Sequence, residues 1–275
     1  MGLEKLTSDA ITLLKKLIET QSFSSEEDKT AVHIEGWFTN YNIDFKRTKN
    51  NVWAVNKHFE AGKPTLLLNS HHDTVKPNSA YTKDPFNAHV EDGKLFGLGS
   101  NDAGGCLVSL IATFTHYYNH ENLKYNLIIV ASAEEESSGP NGLNSMLKVI
   151  PKVDVAIVGE PTLIIDVRVN DAYSNAEIAK ILQENAPVTN IKPRSLRLNS
   201  SSIPVNHDLV KAGIAMGRST YGSPTLSDQA VLTCPSLKLG PGDSTRSHSA
   251  DEYIYINEIE EGIKIYVELL NRVIV

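Results

Sequence analysis

Cysteine is scarce in this chain: Cys106 and Cys234 are the only two among 275 residues. Two thiols do not make a disulfide framework, and they read as core thiols of a cytosolic protein. A basic excess is missing as well. Lys and Arg number 26 against 33 Asp and Glu, a net charge of −7. That balance disfavours nucleic acid or an anionic membrane as the main partner and suits solubility. No apolar run is long enough to cross a bilayer. The first twenty residues follow a charged amphipathic helix pattern and lack the apolar centre of a signal peptide, so the expected location is the cytoplasm. Internal repeats and low-complexity segments are also absent.

What remains is ordinary globular material, 41% hydrophobic and 21% charged, long enough for one large α/β domain or a domain with a small appendage. Leu6, Ile11, Leu14, Leu17 and Ile18 recur at helical spacing, with Ser8 as the expected N-cap. A second helix is expected to start near Ser24 or Ser25 and to bury Ala31, Ile34, Trp37 and Phe38. Strands are expected at 52–55, 65–69, 126–132, 154–158 and 236–239, and helices from Cys106 to Phe114, over 207–218 and over 256–273. Between them, 163–169 and 194–198 read as strands around a helix at 174–184, which Ser174 and Glu177 would close as a capping box.

Three of the apolar strands end in chemistry. Leu66 to Asn69 runs into Ser70-His71-His72-Asp73, with His71 and Asp73 pointing one way and His72 the other. The 126–132 strand runs into Ala133-Glu134-Glu135-Glu136, and the 154–158 strand into Gly159-Glu160-Pro161-Thr162. Each ending alone is equally a solvated turn, and Asp102, just before the helix at Cys106, is equally a capping residue. Taken together they converge where open α/β sheets place their sites, beyond the carboxyl ends of the strands. His71, Asp102, Glu136, Glu160 and His248 make a cysteine-free set of imidazoles and carboxylates that suits zinc, cobalt or manganese in a hydrolytic site. An acid shared by two ions would hold them roughly 3.5–4 Å apart. A further acid, Glu135, stands beside Glu136 to carry the proton of an attacking water.

The segments His71-His72-Asp73-Thr74-Val75, Gly99-Ser100-Asn101-Asp102, Ala133-Glu134-Glu135-Glu136, Gly159-Glu160-Pro161-Thr162 and Ser247-His248-Ser249-Ala250-Asp251-Glu252 resemble, in order, the signature of the acetylornithine deacetylase / succinyl-diaminopimelate desuccinylase metallopeptidases. The resemblance implies an α/β fold with a central, mostly parallel sheet and helices on both faces, zinc exopeptidase-like. It implies two Zn2+ ions, with Co2+ or Mn2+ as substitutes. One would be held by His71, Asp102 and Glu160, the other by Asp102, Glu136 and His248. Asp73 would orient His71, and Glu135 would be the general base and acid, chosen over Glu134 by alignment to the family's acidic pair. The implied reaction removes an N-acyl group from a small amino acid such as ornithine. An aminopeptidase or dipeptidase of the same fold and a metal-binding scaffold without turnover are the alternatives.

The resemblance breaks at one place. Relatives carry a four-stranded lid with two helices after the Gly-Glu-Pro-Thr segment, whereas here Thr162 leads directly into a stretch like that lid's second half. The expected organisation is therefore a catalytic unit, 1–162 with 203–275, and a β-α-β lid remnant, 163–202. The missing half would contain a Gly-His pair whose histidine stabilises the tetrahedral intermediate, and much of a homodimer contact. Metal binding with weak or no turnover is the implied outcome. Arg168, Arg194, Arg197, Arg218 and Arg246 are the candidates for a second carboxylate on the acyl group.

Overall fold

Every residue of Thr65–His71 is buried, and so is every residue of Asn126–Ser132 and of Val155–Val158. Strands covered on both faces belong in the interior of a parallel sheet, and these three lie side by side there. The computed structural model describes residues 2–161, 180, 200–222 and 227–275. Within them the helices are α1 (Leu3–Ile18), α2 (Asp28–Asn40), α3 (Gly105–Tyr117), α4 (Leu143–Met146), α5 (Asp208–Ala215) and α6 (Ile256–Val273). The strands are β1 (Phe45–Thr48), β2 (Asn51–Val55), β3 (Thr65–His71), β4 (His89–Glu91), β5 (Lys94–Phe96), β6 (Asn126–Ser132), β7 (Val155–Val158), β8 (Ser236–Lys238) and β9 (Tyr253–Tyr255).

The main sheet has the order β1-β2-β6-β3-β7-β8. β6, β3, β7 and β8 run parallel, and the β1–β2 hairpin adds antiparallel to β6. The pleat sends alternate side chains to opposite layers. Leu66, Leu68, Leu127 and Ile129 meet α1, α2, α3 and α6, whereas Leu67, Ile128 and Val130 join Trp53, Leu143 and Met146 on the other face. That second face carries only the four-residue α4 and the Asp228–Val231 turn among the described residues. A small antiparallel sheet, β4-β5-β9, stands apart.

Several boundaries differ from the sequence expectation. α1 starts at Leu3 behind Gly2, so Ser8 lies inside the helix and caps nothing. α2 starts at Asp28, because the two candidate serines are engaged elsewhere. The Ser24 hydroxyl donates to Asp73, and Ser25 sits at φ 76 with its N–H on the Glu27 carboxylate. α5 ends at Ala215 rather than Arg218, and His207 is its N-cap, accepting from Leu209 N–H at 3.3 Å. β3 runs two residues further than expected, to His71. The expected lid remnant, 163–202, falls almost wholly outside the described residues, and with it Arg168, Arg194 and Arg197.

Asp102 is not a helix cap. It lies in a wide five-residue turn, Ser100–Gly104, with φ −113° and ψ 98°, and α3 begins one residue after that turn. Gly99 opens the turn at φ 74, where a Cβ would meet Thr74 Cγ2 at 2.6 Å. Gly104 closes it against α1: a Cβ there would meet Leu14 Cδ1 at 2.6 Å and Gly99 O at 2.4 Å. Glycine permits both the left-handed backbone and the close approach.

Candidate metal centre

Because β6, β3 and β7 are parallel neighbours, their carboxyl ends share one rim. His71 is the last residue of β3 and pairs in register with Ser132, the last of β6. Glu135 and Glu136 follow β6, and Glu160 follows β7. Asp102 enters from the turn before α3, and His248, at φ 56, from the loop before β9.

The side chains meet. His71 Nε2 lies 3.4 Å from Asp102 Oδ1, 3.7 Å from Glu160 Oε1 and 3.9 Å from Glu135 Oε2. On the other side of Asp102, its Oδ2 lies 3.6 Å from His248 Nε2, which is 3.0 Å from Glu136 Oε2. Asp102 thus turns one oxygen to each histidine. Among the described residues, the ligand atoms of His71, Asp102 and Glu136 all lie within 4.8 Å of one another.

Asp73 sits behind the centre. His71 Nδ1 is 3.0 Å from the Asp73 backbone oxygen and 3.5 Å from its carboxylate. A Nδ1–H donated there leaves Nε2 bare toward the pocket, a tautomer that suits a ligand. The Asp73 carboxylate also accepts from the backbone N–H of Glu135 at 3.0 Å and of Glu136 at 3.1 Å, and from Ser24 Oγ at 2.6 Å. It therefore fixes the acidic loop as well as the imidazole. Glu134 points away, its carboxylate held by Asn141 and Ser25, so the first of the three acids takes no part in the cluster. His72 likewise turns from the site, between Thr30 Oγ1 at 2.9 Å and Asn50 O at 2.9 Å.

The electrostatics describe acids crowded in a dry place. Burial, with the charges of Glu160, Asp228 and Glu136, pushes the Glu135 carboxyl well above the ordinary range despite His71. Burial lifts Glu160 to about 8. Burial alone would lower His71, but the adjacent carboxylates of Asp102, Asp73, Glu160 and Glu135 hold it well above its usual value. The Glu136 hydrogen bond, against burial, raises His248 to about 9. Asp102 is held low: burial opposes this, and the nearby imidazoles of His71 and His248 overcome it. Such a cluster calls for positive charge. Two further atoms say the same: His71 Nε2 and Glu160 Oε1 are buried and have no hydrogen-bond partner among the described residues. Hard oxygens with imidazole nitrogens, two of those atoms unsatisfied and aimed inward, fit divalent cations of the zinc, cobalt or manganese type.

Other candidates are spent elsewhere. Arg246 is bidentate to Glu258, at 2.7 Å to each oxygen, and lies over the Tyr253 ring at 4.9 Å. Arg218 is exposed. Sequence reasoning missed Asp228, a buried acid bonded to Ser132 Oγ, whose carboxyl burial lifts to about 6. Nothing around Ser227-Asp228-Gln229 marks it in the sequence. It also missed what Glu252 does, although that residue lay within a segment already singled out.

A mostly parallel sheet with a shared carboxylate between two imidazoles at its rim defines a metallo-exopeptidase-like α/β protein. The chain belongs to peptidase family M20/M25/M40, whose family model matches residues 67–272. It is 31% identical over 165 residues to a succinyl-diaminopimelate desuccinylase of Wigglesworthia glossinidia brevipalpis, covering 55% of this chain and 42% of that protein. It is 30% identical over 178 residues to an acetylornithine deacetylase of Salmonella typhimurium, covering 59% and 45%. The matched part thus spans less than half the length of these relatives. Among solved structures, an M20 family metallo-carboxypeptidase of Sulfolobus solfataricus superimposes with a TM-score of 0.70 at 14% identity, covering 96% of this chain and 99% of that one. An aminopeptidase of Bacillus cereus does so at 0.69 and 12%, covering 99% of each. Among the described residues no helix is long and apolar enough to cross a membrane.

Proposed function

We propose that the chain is a two-zinc amidohydrolase that removes an acyl group from the amine of a small amino acid. The observation that carries this reading is Asp102, which directs one oxygen toward His71 and the other toward His248. His71, Asp102 and Glu160 would hold one ion, and Asp102, Glu136 and His248 the other. When bound, the pair would acidify a water and polarise the amide carbonyl. Glu135, 3.9 Å from His71 Nε2, takes the proton of that water and returns it to the leaving nitrogen. Asp73 keeps His71 and the Glu135–Glu136 backbone in place while this happens.

The substrate class rests on the curated relatives, which act on N-acyl amino acids by name and are about 30% identical. Peptide cleavage is the second reading, favoured by the fold-level likeness to a carboxypeptidase and an aminopeptidase. The unit carrying the chemistry is 1–162 with 203–275, and 163–202 is a lid remnant. Without the histidine that the resembling family brings from its lid, turnover is lower by about two to three orders of magnitude. A homodimer, if formed, rests on less surface than a full lid gives. Metal analysis combined with N-acetyl amino acids, N-succinyl amino acids and aminoacyl anilides on one preparation tests the reading. Hydrolysis of the anilides alone moves the assignment to peptidase, and a chain that neither contains nor takes up zinc defeats it.

A further inference from the structure

Glu252 is 1% exposed, and its carboxylate faces backbone rather than a basic side chain. One oxygen accepts from the N–H of Asn101 and of Asp102, each at 2.9 Å, and the other from Gly99 N–H at 3.3 Å. These amides lie in the turn that departs from helical geometry at Asp102, where the backbone cannot supply regular helical acceptors. The same loop that carries Glu252 carries His248, four residues earlier. A second tie runs parallel to the first. Asn101 donates from Nδ2 to Asp243 O at 3.0 Å and accepts from Asp243 N–H at 3.1 Å. Asp251 serves a different segment, accepting from Thr82 N–H and Lys83 N–H at 2.9 Å each and from Thr82 Oγ1 at 2.6 Å.

We infer that Glu252 is a positioning residue for the metal centre: by gripping the amides on either side of Asn101 it sets where the Asp102 carboxylate stands and ties that carboxylate to the His248 loop. The reasoning is geometric. Asp102 can serve both histidines only if its two oxygens stay near 3.4 Å from His71 and 3.6 Å from His248. Its own turn departs from helical geometry at Asp102 itself. The buried carboxylate holds that turn in place, as supporting groups around a metal site do. This inference rests on the two-metal reading above.

Its test separates the two. Glu252→Ala, Glu252→Gln and Asp251→Asn are compared with the unaltered chain by amide exchange in metal-free protein and by titration with Co2+ followed in its visible spectrum. Glu252→Ala is expected to speed exchange at Asn101 and Asp102 at least about tenfold and to weaken cobalt binding by roughly 10–100-fold. Glu252→Gln keeps one acceptor oxygen and restores most of the affinity. Asp251→Asn removes the acceptor of the Thr82 hydroxyl and leaves cobalt affinity unchanged, which a general loss of stability would not reproduce. Cobalt binding in a folded Glu252→Ala chain at the unaltered affinity overturns the role of Glu252 alone. An unaltered chain that takes up no cobalt overturns the two-metal reading and this role with it.

Discussion

The two histidines of the centre are built differently. The His71 side chain is 1% exposed at the end of a central strand, with Nδ1 fixed by Asp73. The His248 side chain is 54% exposed on a loop with left-handed backbone, and that loop is tied down by side chains. One half of the centre is thus part of the folding core, and the other is fastened on afterwards. Two candidate ligands of one chemical type therefore carry different loads. Removing His71 damages the scaffold and the site, whereas removing His248 damages the site.

Replacing the shared acid erases the contrast, and it should have the largest effect. Asp102→Asn is expected to reduce bound zinc from two equivalents to none by elemental analysis, with all hydrolysis lost. Glu135→Gln should come next, cutting kcat by about 10²–10⁴ while both ions remain, read by steady-state kinetics beside metal content. The contrast itself is tested by His71→Ala against His248→Ala. The first should lose metal and also roughly 1–3 kcal/mol of stability in urea unfolding, since it truncates a buried, bonded side chain. The second should lose metal with unfolding changed by less than about 0.5 kcal/mol.

Metal uptake should also be pH-dependent, because the metal-free site holds protons that ligands must give up. With His248 raised to about 9 and Glu160 to about 8, zinc affinity falls as pH drops through that range. Calorimetry in buffers of different ionisation enthalpy should show proton release on zinc binding, and none would contradict the assigned ligands. A last pH dependence belongs to the fold itself and concerns His72, which burial lowers to about 4. The native state stays neutral where the unfolded chain, near 6.5, takes a proton. Its contribution to stability is therefore complete above about pH 6.5 and is lost as pH falls toward 4. The total is on the order of 3 kcal/mol, and His72→Gln should flatten that part of the unfolding-versus-pH curve.

Legibility in the sequence followed the range of the interactions. β6 and α6 were readable to the residue, since an unbroken apolar run and a helical stripe are local signals. The three-residue strands β4, β5 and β9 were not, because their pairing joins Leu95 to Ile254 across the chain and leaves no periodic pattern. Ser8 and Ser24 looked like caps by composition, and only tertiary partners decided otherwise. The metal-ligand candidates stood out by motif and by position at strand ends. Glu252 and Asp228 did not, because a carboxylate that serves backbone amides 150 residues away, or a hydroxyl at the end of another strand, looks like any surface acid until the fold is known.

The bare Gly104 surface has a consequence for a part of the molecule that holds no ligand. Leu14 of the first helix rests where a side chain would otherwise stand, directly behind the turn bearing Asp102. The first helix is in this sense a wedge driven in behind the Asp102 carboxylate. A smaller residue at 14 would leave room behind Gly104 for the turn, and the Asp102 carboxylate with it, to shift.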